Sequence, residues 1–124
     1  MPDILIRQAN IAALSTVLPF NEGQSNWRFR RCPYSRGLYT ILVRSSGAAG
    51  VMDHSVLIGT TEVVQRGQTS AGGTDGVMPT PAGTTSCPAH QFYAEAGDEI
   101  ILSLFETGNV ATTDVMIWAN VEPA

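Results

Sequence analysis

Apolar and polar positions alternate with a period of two along most of the chain, the spacing that sends successive side chains to opposite faces of a strand. Trp27-Arg28-Phe29-Arg30 alternates cleanly and predicts a short strand. Leu38-Tyr39-Thr40-Ile41-Leu42-Val43-Arg44 is apolar almost throughout, as expected of a strand covered on both faces, and Ser45-Ser46-Gly47 ends it. Val51 to Ile58 and Thr60 to Arg66 form two further runs, separated by Gly59, where a tight connection or a bulge is expected. The runs His90 to Glu95, Glu99 to Phe105 and Val110 to Val121 are divided by Ala96-Gly97-Asp98 and Glu106-Thr107-Gly108-Asn109 and predict a three-strand meander. Ile100, Leu102 and Leu104 share one face, as do Val115, Ile117, Ala119 and Val121, with Met116 and Trp118 turned the other way. Ile41, Val43, Ile100, Leu102, Val115 and Ile117 are the predicted core.

Two stretches depart from this pattern. In residues 1–18, Ile4, Ile11, Leu14 and Leu18 fit a helical stripe nearly as well as Ile4 and Ile6 fit a strand, so an extended N-terminal segment is expected. Its apolar row is costly to leave in water and suits burial against a partner. From Gly67 to Cys87, fourteen of 21 residues are Gly, Pro, Ser or Thr, and only Val77 and Met78 are bulky and apolar. A long loop is expected there, extended around Pro79 and Pro81, and loops of such length are usually functional or disordered.

Seven or eight short strands with frequent turn signals predict an all-β, antiparallel β-sandwich, most simply a jelly roll. The 124 residues make one domain, 1–124, and no internal repeat suggests a solenoid or propeller.

Charge narrows the partners. The net charge is −4 and the pI near 4.9, the wrong sign for binding free nucleic acid. All seven cations are arginine, which tolerates interfaces better than lysine does. Residues 1–66 hold every arginine and four acids, a net of +3, and residues 67–124 hold seven acids and no base, a net of −7. Such asymmetry is neutralised within one fold or between neighbouring subunits. Arg28, Arg30, Arg31 and Arg36, interleaved with Trp27, Phe29 and Tyr34, are therefore read as a solvated edge or an interface to an acidic neighbour rather than a single-strand nucleic-acid groove.

Candidate chemistry is sparse. Asp53-His54-Ser55 contains the residue types of a hydrolytic triad, yet on a strand His54 leaves the face that Asp53 and Ser55 share. Cys32, His54, Cys87 and His90 are zinc-ligand types, but only Cys87-x-x-His90 has a ligand-like spacing, and no metal site is expected. With no lysine there is no phosphate-binding loop of the Walker kind. Trp27, Tyr34, Tyr39, Tyr93 and Trp118 offer an aromatic platform for a carbohydrate- or receptor-binding module, the alternative function. Cys32 and Cys87 make no disulfide framework and are expected as reduced thiols. The Met-Pro-Asp start shows no export signal, and no run approaches a membrane span, so a product made in a cytoplasm and free of membrane is expected.

The closing segment, Ala96-Gly97-Asp98-Glu99-Ile100-Ile101-Leu102-Ser103-Leu104, then Thr107-Gly108-Asn109 and Val115-Met116-Ile117-Trp118-Ala119-Asn120-Val121, resembles the last strands of small jelly-roll decoration, or cement, proteins of tailed bacteriophage capsids. The likeness covers about the last third of the chain in pattern and the whole chain in size. It implies a non-enzymatic virion protein without cofactor, often trimeric, on the capsid exterior. Its expected partners are the major capsid protein or another shell subunit, and itself. The residues read as partner contacts are Ile4, Ile6, Arg7, Ile11 and Leu14 of the N-terminal segment, Arg28, Arg30 and Arg31, and Val77 and Met78 of the long loop.

Overall fold

Eight strands can be paired as one long antiparallel hairpin, first with last and inward, and rolled so that the pairs fall into two facing sheets. The structure, a computed structural model of the chain, follows that plan; it describes residues 3–21, 27–47, 50–71, 87–110 and 113–124. The strands are β1 (Asp3–Ile11), β2 (Thr16–Val17), β3 (Arg36–Ser45), β4 (Met52–Ile58), β5 (Thr61–Gln68), β6 (His90–Glu95), β7 (Ile100–Glu106) and β8 (Thr113–Pro123). One sheet has the order β1-β8-β3-β6 and the other β2-β7-β4-β5. The nested pairs β1·β8, β2·β7, β3·β6 and β4·β5 are all antiparallel, and β3·β8 and β4·β7 complete the sheets. This is the strand order of a jelly roll.

The alternating residues supply the layer between the sheets. Ile41, Ile100, Leu102, Leu104, Val115, Ile117, Ala119 and Val121 are fully buried, and Val43 nearly so, as their period-two spacing predicts. Tyr39 stacks on Phe92 with ring centroids 5.5 Å apart, and Trp27 meets Phe20 at 5.1 Å and Tyr39 at 6.0 Å. Leu42 and Met116 point to the other face of their sheet and are also fully buried, which accounts for the unbroken apolar run in β3.

Three sequence expectations are corrected. Residues 3–11 are not a free extended segment but the strand β1, in register with β8 from Asp3↔Asn120 to Gln8↔Val115. Trp27 to Arg30 is not a strand: Arg28–Arg30 is a single 3-10 turn that tucks Trp27 into the core. The last three strands are not a meander, because β6 and β8 lie in one sheet and β7 in the other. Gly59 makes the tight connection expected of it: Gly59-Thr60 is the two-residue loop between Ile58 and Thr61, and Gly59 sits at φ 61, where a side chain is strained. Of the predicted loop 67–87, Gly67 and Gln68 end β5, and residues 72–86 lie outside the described residues.

Candidate functional site

Edge strands are where a sandwich meets other chains, because their outer N–H and C=O groups have no partner within the sheet. The strand orders place β1 and β6 at the edges of one sheet, and β2 and β5 at the edges of the other. β5 is exposed along its whole length except for half-buried Val64, and Val63 is 36% exposed. On β1 the residues that alternate away from the core form an outer row with β8. Leu5, 57% exposed, lies opposite half-buried Trp118, and Arg7 lies opposite Met116.

The structure sorts the residues read from the sequence as partner contacts. Ile6 and Ile11 are buried in the core and Ile4 packs against it, so these three are not available to a partner. Arg7 binds Asp114 of β8 at 2.9 Å. Leu14 remains an exposed apolar residue, 66% accessible, in the turn between β1 and β2. Leu5, which the sequence reading passed over, is an exposed apolar residue of β1; its place between inward Ile4 and Ile6 was the signal for it. Val77 and Met78 lie outside the described residues.

The arginine group does not converge on one point. The Arg28 guanidinium stands over the Phe29 ring at 5.1 Å, Arg30 donates to the Trp27 carbonyl at 3.0 Å, and Arg31 pairs with Glu99 at 2.7 Å. Arg36 lies over the Tyr93 ring at 4.1 Å. Arg7–Asp114 and Arg31–Glu99 each join the basic half of the sequence to the acidic half, so part of the charge asymmetry is neutralised inside the fold.

The aromatic platform is likewise dispersed, with Trp27 and Tyr39 buried and Tyr93 54% exposed on β6. The Tyr39 hydroxyl donates to the Phe29 carbonyl at 2.7 Å, and burial is the main reason that it resists ionisation far above the ordinary tyrosine range.

The triad residue types do not assemble, but one histidine contact does form. His54 points inward from β4 and is 4% exposed; its Nδ1 lies 2.9 Å from Thr69 Oγ1 and its Nε2 lies 3.0 Å from Nε2 of His90, the first residue of β6. Burial pushes His54 down to about 4, with the neighbouring His90 adding to the effect and Asp53 opposing it. His90 is lowered by burial alone. Of the four zinc-ligand types, the two histidines meet. The Cys87 thiol is directed at the Val43 carbonyl and Cys32 at the carbonyls of Tyr34 and Ala94, and no group of three or more metal-ligating side chains occurs among the described residues. Both cysteines are free and buried. Among the described residues no helix is long and apolar enough to cross a membrane.

No protein-family model matches the chain, and no curated protein matches it. Among solved structures it is similar to one described as "Bacillus endospore appendages form a novel family of disulfide-linked pili", with a TM-score of 0.45 and 11% identity over 98% of this chain and 84% of that one.

Proposed function

We propose that the chain is a non-enzymatic structural protein of a virion that decorates and cements a capsid by bridging neighbouring shell subunits. The observation that supports this reading best is the outer row of β1 and β8, where exposed Leu5 stands beside half-buried Trp118 and β1 is, among the described residues, an edge strand of its sheet. A partner strand laid along β1 would satisfy backbone groups and cover Leu5 in one step. The exposed strand β5 gives the sandwich an edge in its second sheet, so one molecule has separate edges to offer two neighbours. The major capsid protein, or another shell subunit, and further copies of the chain in a trimer are the proposed partners, on the capsid exterior. Of the aromatic residues that suggest the carbohydrate-binding alternative, Trp27 and Tyr39 are buried and Tyr93 is exposed.

The test is co-sedimentation of the purified chain with shells assembled from the major capsid protein of the same genome. Wild-type chain is expected to pellet with shells at a fixed stoichiometry and to run as a trimer in light scattering. Leu5→Glu is expected to keep its unfolding free energy within about 0.5 kcal/mol, as exposed substitutions do, and to bind shells at least tenfold more weakly. Wild-type chain that stays in the supernatant, or that binds a glycan array and ignores shells, overturns the reading.

A further inference from the structure

We infer that His54 and His90 form an acid-sensitive latch between the two sheets, closed by one shared hydrogen and opened when the pair takes up its second proton. The latch is independent of the shell reading, since it rests on contacts inside a single chain.

Geometry sets the requirement. Two Nε2 atoms 3.0 Å apart need one N–H and one lone pair between them, so one ring donates and the other accepts. His54 belongs to β4 and His90 to β6, in different sheets, and the contact therefore crosses the sandwich toward the side bounded by edge strands β5 and β6. Thr69 extends the link. It follows β5, its hydroxyl meets His54 Nδ1 at 2.9 Å, and its N–H donates to the Met52 carbonyl at 2.8 Å. One residue on, Ser70 accepts from the Ser45 N–H at 2.7 Å. Thr69 and His90 flank the long connection between β5 and β6, so the latch holds both of its ends.

A first proton leaves the latch closed. His90 is the more exposed ring, and as an imidazolium it still donates from Nε2 to the His54 lone pair. A second proton occupies that lone pair, sets two N–H groups against each other at 3.0 Å, and places two positive charges in a buried contact. No described neighbour compensates well. On β4 itself Asp53 is the acid acting on His54, and it is already bound to Arg66 of β5 at 3.3 Å. β7 sets Leu104 opposite His54 and β3 sets Ile41 opposite His90, both apolar. Glu106, opposite Met52 on β7, spends its carboxylate on backbone N–H groups of the turns. The Cys87 thiol, three residues before His90, is held neutral by burial.

The experiment is hydrogen exchange of the full chain between pH 7 and pH 3.5, beside NMR titration of the two imidazole rings. In wild type the amides of residues 69–71 and 90–92 are expected to lose at least tenfold protection in one reversible step, while the β1·β8 ladder stays protected. That step should coincide with the lower of two ring protonations. The double variant His54→Gln/His90→Gln keeps an amide donor and acceptor but no titrating ring, and it should hold its protection through the same range. Loss of protection in the double variant at the wild-type pH assigns the step to carboxylates and overturns the latch. Should that variant not fold, the wild-type titration decides alone: two rings that titrate independently near pH 6.5, or a lower protonation separated from the loss of protection, also overturn it.

Discussion

The Oε1 atom of Glu106, at the end of β7, accepts the backbone N–H of Leu14 at 3.0 Å across 92 residues of sequence. The same carboxylate accepts the N–H of Asn109 at 2.8 Å and that of Val110 at 3.2 Å. It therefore ties the β1–β2 turn to the β7–β8 turn, and it satisfies donors in two segments where Leu14 and Asn109 both have positive φ. The N–H of Leu14, followed by those of Val110, Asn109 and Gly108, holds the Glu106 carboxyl below its ordinary range against the opposing effect of burial. Because the folded-state value is the lower one, this contribution is present above the ordinary glutamate range and is lost as pH falls through the folded value. Glu106→Gln keeps an acceptor oxygen and is expected to lower the thermal midpoint moderately. Glu106→Ala removes every acceptor and should lower it further, and a midpoint equal to wild type in both variants would show that the carboxylate holds nothing.

Leu14 itself stores strain. Its φ of 56 is a left-handed conformation that costs a branched residue about 1–3 kcal/mol, and its side chain is 66% exposed and packs little. Glycine removes the clash and adds roughly 0.4–1 kcal/mol of unfolded-state entropy to be overcome. Leu14→Gly is expected to be stabilising by about 0.5–1 kcal/mol in urea unfolding, with the N–H to Glu106 retained. A loss of stability would mean that the Leu14 side chain packs where the structure leaves it open.

What was legible in the sequence follows from what periodicity measures. In β3, β7 and β8 every second residue faces the core, and Ile41, Val43, Ile100, Leu102, Val115 and Ile117 follow from that spacing even though Leu42 and Met116 are buried on the opposite face. β1 misled because its register shifts between Gln8 and Ile11. That bulge moves the inward positions from 4 and 6 to 11, and a seven-residue interval from Ile4 to Ile11 imitates a helical stripe. Spacing also reports that a strand exists without reporting its sheet, which is why β6, β7 and β8 read as a meander although the chain crosses between sheets at each turn. The histidine pair was half visible. His54 falls in phase with Met52 and Val56, and His90 with Phe92 and Ala94, so both are inward; that they face each other follows only from the strand order.

Acid should cost stability through His54. Its folded-state value near 4 lies below the ordinary 6.5, so the unfolded chain binds the proton more readily in that window. Stability is then complete above pH 6.5 and declines as pH falls toward 4. The gap corresponds to on the order of 3 kcal/mol at about 1.4 kcal/mol per pH interval. Urea midpoints measured at pH 7 and pH 4.5 should fall more for wild type than for His54→Gln. Equal falls in the two proteins would remove His54 from the account.

The cysteines are expected to be inert in the native state. Cys32 lies against Ala94, which pairs with Gly37 of β3, and Cys87 lies against Val43, six residues further along the same strand, so the two thiols are roughly 20 Å apart by strand rise, far beyond the reach of a disulfide. Both are buried, and burial pushes the Cys87 thiol up, away from the reactive thiolate. A reductant should leave the thermal midpoint unchanged, and thiol reagents should label both residues quickly only in denaturant. Fast native-state labelling of either residue would contradict its burial.

Deleting residues 1–9 should abolish the fold rather than only weaken association. The deletion removes the β1 ladder from Asp3 to Gln8, the core residue Ile6, the packing of Ile4, and the Arg7 bond to Asp114. Loss of a buried isoleucine alone costs about 2–5 kcal/mol, against a total of roughly 5–15 kcal/mol for a domain of this kind. The remaining β8 would carry Val115, Ile117 and Ala119, fully buried in the intact chain, to a newly opened edge. Proton NMR of the truncated chain should therefore lose its dispersion, and denaturant should give no cooperative transition. A truncated chain that stays dispersed, with a midpoint near that of the intact chain, would return residues 1–9 to the role of a free arm and make β8 the true edge of its sheet.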